Sequence, residues 1–199
     1  EVHVQPDPQE ILVQALSVAA AGGKGLMYFQ VAEDEAEHDW DRWMAIARAT
    51  WLIRGVRTYL REGDATGMIA TDGEAILEMI RARDALVVPV INMSVDATVN
   101  DVACEAGSLL NENLVPHWTL HDQSLGFQVT VPDDFGVLEV FEVLDQQAVD
   151  YGYGLAVDGR TVSFKAVPLS NETPVRVFVL AASSEVRDVV EAEMVAPEL

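Results

Sequence analysis

The stretch Gly22-Gly-Lys-Gly-Leu-Met-Tyr-Phe-Gln30 decides how this chain is read. From Lys24 to Gln30 it is a short apolar run, bounded by glycine on one side and by the acidic stretch Glu33 to Asp41 on the other. That pattern predicts a strand buried on both faces. Upstream, Asp7-Pro8 has the form of an N-cap followed by proline at the first helical position, and Ile11, Leu12, Ala15, Leu16 and Ala19 then recur at helical spacing. Gly22-Gly23 ends that helix. Downstream, Asp39 or Asp41 is placed to cap a long helix. Its Trp43, Ile46, Ala47, Thr50, Trp51, Ile53, Arg54 and Leu60 mix a broad apolar face with arginines, and Glu62-Gly63-Asp64 stops it. Helix, buried strand and helix form an excerpt from a parallel α/β layer. A lone strand of that kind needs parallel neighbours, so the expectation is that these lie before Glu1 or come from another chain.

The pattern changes near Arg83. Residues 1–83 read as the α/β part and 84–199 as a separate all-β domain of about eight short, mostly alternating strands, among them Ala85 to Met93, Phe127 to Val131 and Thr161 to Val167. Asp158-Gly159 between two alternating segments is a hairpin signal. Pro89 points to an edge strand or a bulge. A short amphipathic helix after Ser183 or Ser184 closes the chain, and the spacing of the strands argues for an antiparallel sandwich.

Composition narrows the function classes. Half of the 199 residues are hydrophobic, enough to bury a core, and the formal net charge is -21, from 33 acidic against 12 basic side chains. Such a surface repels phosphate backbones and anionic lipid, which argues against nucleic acid and membrane-surface partners. No stretch has the length and apolarity to insert in a membrane, and the oligomeric state is left open. The single Cys104 has no internal disulfide partner and reads as a small buried hydrophobe. His117 and His121 share one face of a strand but lack a third ligand, so no metal is expected. No phosphate loop or Ser/His/Asp set is present, and no cofactor is implied. Asn92-Met-Ser94 and Asn171-Glu-Thr173 match the glycosylation acceptor pattern.

The run from Pro6 to Gln30 resembles the last helix-to-strand step of glycoside-hydrolase-type (β/α)8 barrels, with Gly22 to Phe29 similar to their final strand. The helix from Trp40 resembles their closing helix, and an accessory β-sandwich after the barrel is common among them. The resemblance implies a fold class of α/β followed by all-β: the last β/α unit or units of a TIM-type barrel, then a C-terminal antiparallel β-sandwich. It implies a carbohydrate partner for the full-length protein, and an extracellular or periplasmic setting. If that protein is an enzyme, it is an O-glycosyl hydrolase. In that family the two catalytic carboxylates sit on the fourth and seventh strands, upstream of this chain, so no catalytic residue is assigned here. Substrate contact would fall to Tyr28, Gln30, His38 and Trp40, since aromatic faces stack on sugar C–H surfaces and an amide binds two hydroxyls. The bland alternatives are barrel core for Tyr28 and helix-start packing for Trp40. Glu33, Asp34, Glu35 and Glu37 read as a solvated loop, with a sugar-contacting loop as the alternative, and Trp118 as core or as a sugar platform. The competing function is a non-catalytic structural or interaction module that binds carbohydrate or protein.

Overall fold

The computed structural model describes residues 6–27, 40–69, 73–101, 114–144, 146–151 and 155–195. Helix α1, Pro8–Ala20, starts where the sequence places it, with Pro8 at its first turn and the Asp7 N–H donating to Glu10 Oε2 at 2.8 Å. Helices α2, Trp40–Gly55, and α3, Arg57–Glu62, follow, separated at Val56. The strands come next: β1 Asp64–Met68, β2 Ala75–Arg81, β3 Ala85–Asn92, β4 Val95–Asp101, β5 Leu114–Leu120, β6 Gln123–Thr130, β7 Glu139–Leu144, β8 Gln147–Asp150, β9 Leu155–Asp158, β10 Thr161–Leu169 and β11 Val175–Ala181. Helix α4, Glu185–Met194, is the last described element.

Three layers result. The central sheet has the order β1-β2-β3-β11-β7-β8; a three-stranded sheet, β6-β10-β9, covers one of its faces, and the helices cover the other. Among the described residues strands β4 and β5 pair only with each other. Alternation along the central strands explains the layering. In β3, Val87 and Ile91 point to the helices, whereas Leu86, Val88 and Val90 point to the small sheet. In β11, Val177 and Val179 face the helices and Phe178 and Leu180 the small sheet. Every residue of β3 is buried, as expected for a strand covered on both sides.

This architecture corrects the barrel expectation. Every strand pairing among the described residues is antiparallel, and no β/α repeat of barrel type is present. Residues 24–27 form no strand; Leu26 and Met27 are exposed, at 41% and 72%. The physical reason lies in the turn before them, which ends α1 and leads along the helical surface instead of into a sheet. Residues 64–81, read as part of the helical region, supply β1 and β2, and the β2–β3 hairpin spans Arg83. Pro89 lies in β3, between β2 and β11, and not at an edge. The β2–β3 pairs Leu77↔Val90 and Ile80↔Val87 bracket a gap in that ladder opposite Pro89, where its missing N–H is tolerated. Asn92 is fully buried: its Nδ2 donates to the His121 carbonyl at 2.9 Å, and its Oδ1 accepts from Ser94 N and Gln123 Nε2. That amide is a structural hub and not an accessible glycosylation acceptor.

Gly63 joins the helical layer to the central sheet. A Cβ there would sit 2.6 Å from the Tyr59 carbonyl oxygen, 2.9 Å from that of Arg81 and 2.9 Å from Ile80 Cγ2. Two of these three atoms are backbone and cannot swing away. Gly63→Ala is therefore expected to destabilise the fold by about 2–3 kcal/mol, in the range of overpacking substitutions. Gly159→Ala, with open space around its Cβ but a φ of +57°, should cost about 1 kcal/mol. Urea unfolding of the two variants checks the order; equal midpoints would mean that the chain does not pass so close to Arg81.

Candidate functional site

Gly23, Lys24, Gly25 and Leu26 form one side of a groove. Helix α1 ends with Gly22 at φ +82°, and the Gly23 N–H donates to the Val18 carbonyl at 2.9 Å. A side chain at Gly23 would place Cβ 2.6 Å from Val18 Cγ1, so the second glycine lets the turn fold back onto its own helix. Lys24 then reaches across: its Nζ donates to the Leu60 carbonyl at 2.7 Å and to the Gly63 carbonyl. Both carbonyls lie at the C-terminal end of α3, where a cation offsets the helix dipole. The post-α1 turn is thus anchored above α3 by a lysine that the resemblance had placed in a barrel strand.

On the other side, Val56 at φ −112° separates α2 from α3. Gly55 permits a close crossing here, since a Cβ would lie 2.9 Å from Met194 Cγ of α4. Between the turn and this junction lies a cavity of about 540 Å³. Val18, Leu26, Ile53 and Leu60 give it apolar walls, and Arg57 and Arg61 stand at it with side chains 62% and 74% exposed. Glu193 of α4 reaches the same place. Its carboxylate lies 3.1 Å from Arg57 Nε and accepts from the Thr58 hydroxyl at 2.6 Å and from the Thr58 N–H at 3.3 Å. Arg61 pairs with its neighbour Glu62 at 3.2 Å, but both are exposed and such a contact is worth little. Among the described residues the lining holds three cations, Lys24, Arg57 and Arg61, against the one carboxylate of Glu193, on a chain of net charge -21. Buried Tyr59 of α3 has its phenol pKa pushed up to about 12, first by burial and then by the charges of Asp84, Glu193 and Glu62. It stays neutral and serves packing.

Helix α2 continues this surface. Ala45, Ala49, Leu52 and Gly55 are buried, whereas Trp40 and Met44 are 70% and 41% exposed. Trp40, Met44, Ala47 and Trp51 follow the spacing of one helical face, which adjoins the buried one at Gly55. Ala47 and Trp51 are half-buried. A smaller recess of about 200 Å³ lies between α1, at Glu10, Val13 and Gln14, and the residues Met93, Val95 and Leu120.

Buried charge sits elsewhere, between the two sheets. Glu142 of β7 is 4% exposed, and burial drives its carboxyl pKa upward against the lowering influence of Arg176. Arg176 Nε is 2.8 Å from Glu142 Oε1, yet aligned too poorly for that oxygen to count as hydrogen-bonded. The Tyr151 hydroxyl, raised chiefly by burial, has no hydrogen-bond partner among the described residues. At the helix–sheet boundary Arg187 of α4 bonds Glu139 Oε1 at 2.7 Å through Nε and the Ala148 carbonyl at 3.1 Å, pairs with Asp150, and covers the Phe141 ring at 4.7 Å. It fastens α4 to β7 and β8.

Of the four sugar-contact candidates, Tyr28, Gln30 and His38 lie outside the described residues, and Trp40 opens α2 on the exposed surface. Glu33, Asp34, Glu35, Glu37 and Cys104 also lie outside them. His121 Nε2 lies 2.9 Å from Asp96 Oδ2, and no cluster of three metal-ligating side chains occurs among the described residues. No helix among them is long and apolar enough to cross a membrane. Sequence reasoning missed Lys24, Arg57 and Arg61 as a group. The available signal was the charge balance over residues 40–62, five arginines against Asp41 and Glu62 in a strongly acidic chain. No protein-family model matches the chain, and no curated protein matches it closely enough to count as a relative.

Proposed function

We propose that the chain is a non-catalytic interaction module whose working surface is the outer side of its helical layer. One observation carries this reading. Helix α2 holds three of the four tryptophans, and its side away from the sheet still presents Trp40 and Met44 to solvent. Exposed aromatic and methionine side chains on one helix face favour a partner surface, because each removes a large apolar area from water on contact. The neighbouring groove supplies charge of the opposite sign to the chain as a whole. A protein partner fits this breadth of apolar surface best. A carbohydrate contact is the second reading, favoured by the exposed ring of Trp40 alone.

Site-specific photo-crosslinking tests the proposal. A photoreactive side chain at Met44 should capture a polypeptide that the same group at Val157, exposed on β9 of the small sheet, does not. Trp40→Ala should reduce that capture by about tenfold, the loss expected for one anchoring aromatic. Equal capture from both positions would overturn the reading. Quenching of tryptophan fluorescence by soluble oligosaccharides, lost in Trp40→Ala, would instead replace it with the carbohydrate reading.

A further inference from the structure

We propose that the groove beside Lys24 and Arg57 takes an amphipathic, acidic segment of another polypeptide, with apolar side chains in the cavity and Asp or Glu carboxylates on Arg57 and Arg61. This rests on the interaction-module reading and names the chemistry of the partner.

Shape and charge both point to that occupant. The cavity is open along the gap between the post-α1 turn and the α2–α3 junction, and its apolar surface runs on to exposed Leu26 and Val18. A volume of about 540 Å³ has room for a few side chains presented at helical spacing. Arg57 and Arg61 are one turn apart on α3, so their guanidinium groups form a row along the groove. Each can receive a carboxylate in fork geometry. Glu193 shows that the arrangement accepts a carboxylate: Arg57 and both donors of Thr58 converge on it. Among the described residues Arg61 pairs with the exposed carboxylate of its neighbour Glu62, a partner easily exchanged.

The sign of the charge makes the test sharp. A chain of net charge -21 repels an acidic peptide and attracts a basic one over most of its surface. Only a local basic site reverses that preference. The probe is a fluorescent synthetic peptide of about four helical turns, with Leu at i, i+3, i+4 and i+7 and Glu on the flanks. Its sister carries Lys in place of every Glu, and binding to the whole chain is read by anisotropy.

The acidic peptide is expected to bind about tenfold tighter than its sister, and to weaken as sodium chloride is raised. Arg57→Gln combined with Arg61→Glu should abolish the preference, with an unchanged circular dichroism spectrum and melting curve. Preference for the lysine peptide, equal binding of the two, or binding of neither by the wild-type chain overturns the inference, and none of these outcomes depends on a variant that must fold. Concentration-dependent dimerisation that Arg61→Glu removes would also overturn it, because a second copy would then be the occupant. The failures are separable: if Trp40→Ala still weakens cross-linking from position 44 by about tenfold while the peptides are indifferent to charge, the interaction surface stands and its acidic partner does not.

Discussion

Arg176→Met should cost about 3–5 kcal/mol of stability at neutral pH, the largest effect we expect from any single charged side chain here. Glu142 has a side chain only 5% exposed, and Arg176 Nε lies 2.8 Å from its Oε1. Taking the arginine away leaves a carboxylate in the apolar space between the sheets. The double variant Arg176→Met/Glu142→Leu should recover most of the loss, since two apolar side chains of similar size replace the pair without a stranded charge. The pH dependence has a definite sign. Burial is the first cause acting on Glu142 and raises its folded-state pKa above the ordinary 4.5. A carboxyl that holds its proton more tightly when folded contributes stability below the unfolded value, and that contribution is lost as pH rises through the folded one. Removing Arg176 deletes the lowering influences and carries the folded value further up. The gap between variant and wild type should therefore be small in acid and widen towards neutrality. Urea unfolding of both proteins across that range measures it. A gap that stays constant with pH would show that the cost comes from packing and not from the stranded carboxylate.

That pair also illustrates what was legible in the sequence and what was not. Short alternating strands are legible in the second part of the chain, but nothing in Val175 to Leu180 warns that Arg176 points inward beside Phe178. The α1 cap, the Gly22-Gly23 terminator and the Asp158-Gly159 hairpin were legible because each depends on a local backbone requirement. Gly159, for example, adopts φ +57°. Strand β2 was not legible, for a physical reason. Ile76 and Ile80 pack with the helices while Leu77 and Met79 face the small sheet, so apolar residues fall at 76, 77, 79 and 80 and imitate a helical stripe. A strand covered on both faces carries no period-two signal. The same ambiguity made Lys24 to Gln30 look like a buried strand, and over Lys24 to Met27, the part that is described, long-range packing decides otherwise. Lys24 is held by two carbonyls some 36 and 39 residues away, a contact no local pattern encodes. Trp40, read as a sugar contact or as helix-start packing, opens α2 exposed to solvent, whereas the arginine row depended on knowing that α3 meets the post-α1 turn.

Phe178→Ala is expected to lower stability by about 3–5 kcal/mol, which for a chain of this size corresponds to a fall of roughly 10 °C in Tm. Phe178 is fully buried in β11, with β3 on one side and β7 on the other. Its ring lies 5.0 Å from that of Phe164, 4.8 Å edge-on from Tyr151 and 6.1 Å from Phe127, while Phe127 and Phe164 stack at 4.4 Å. These rings join the central sheet to the small one, so truncating Phe178 opens a void that neither sheet can close without breaking its own ladder. Tyr151→Phe in the same cluster should be neutral or slightly stabilising, because it removes a buried hydroxyl that has no partner among the described residues. Chemical denaturation of the two variants distinguishes lost packing from lost polarity. A loss below about 1 kcal/mol for Phe178→Ala would mean that the aromatic cluster collapses to fill the gap. The substitution also separates the two sides of β11. Val177 and Val179 face the helices and belong to the other core, so below its lowered Tm the variant should still prefer the acidic peptide over its lysine sister. Loss of that preference in a variant that remains folded would show the groove to depend on the core between the two sheets as well as on the helical layer that lines it.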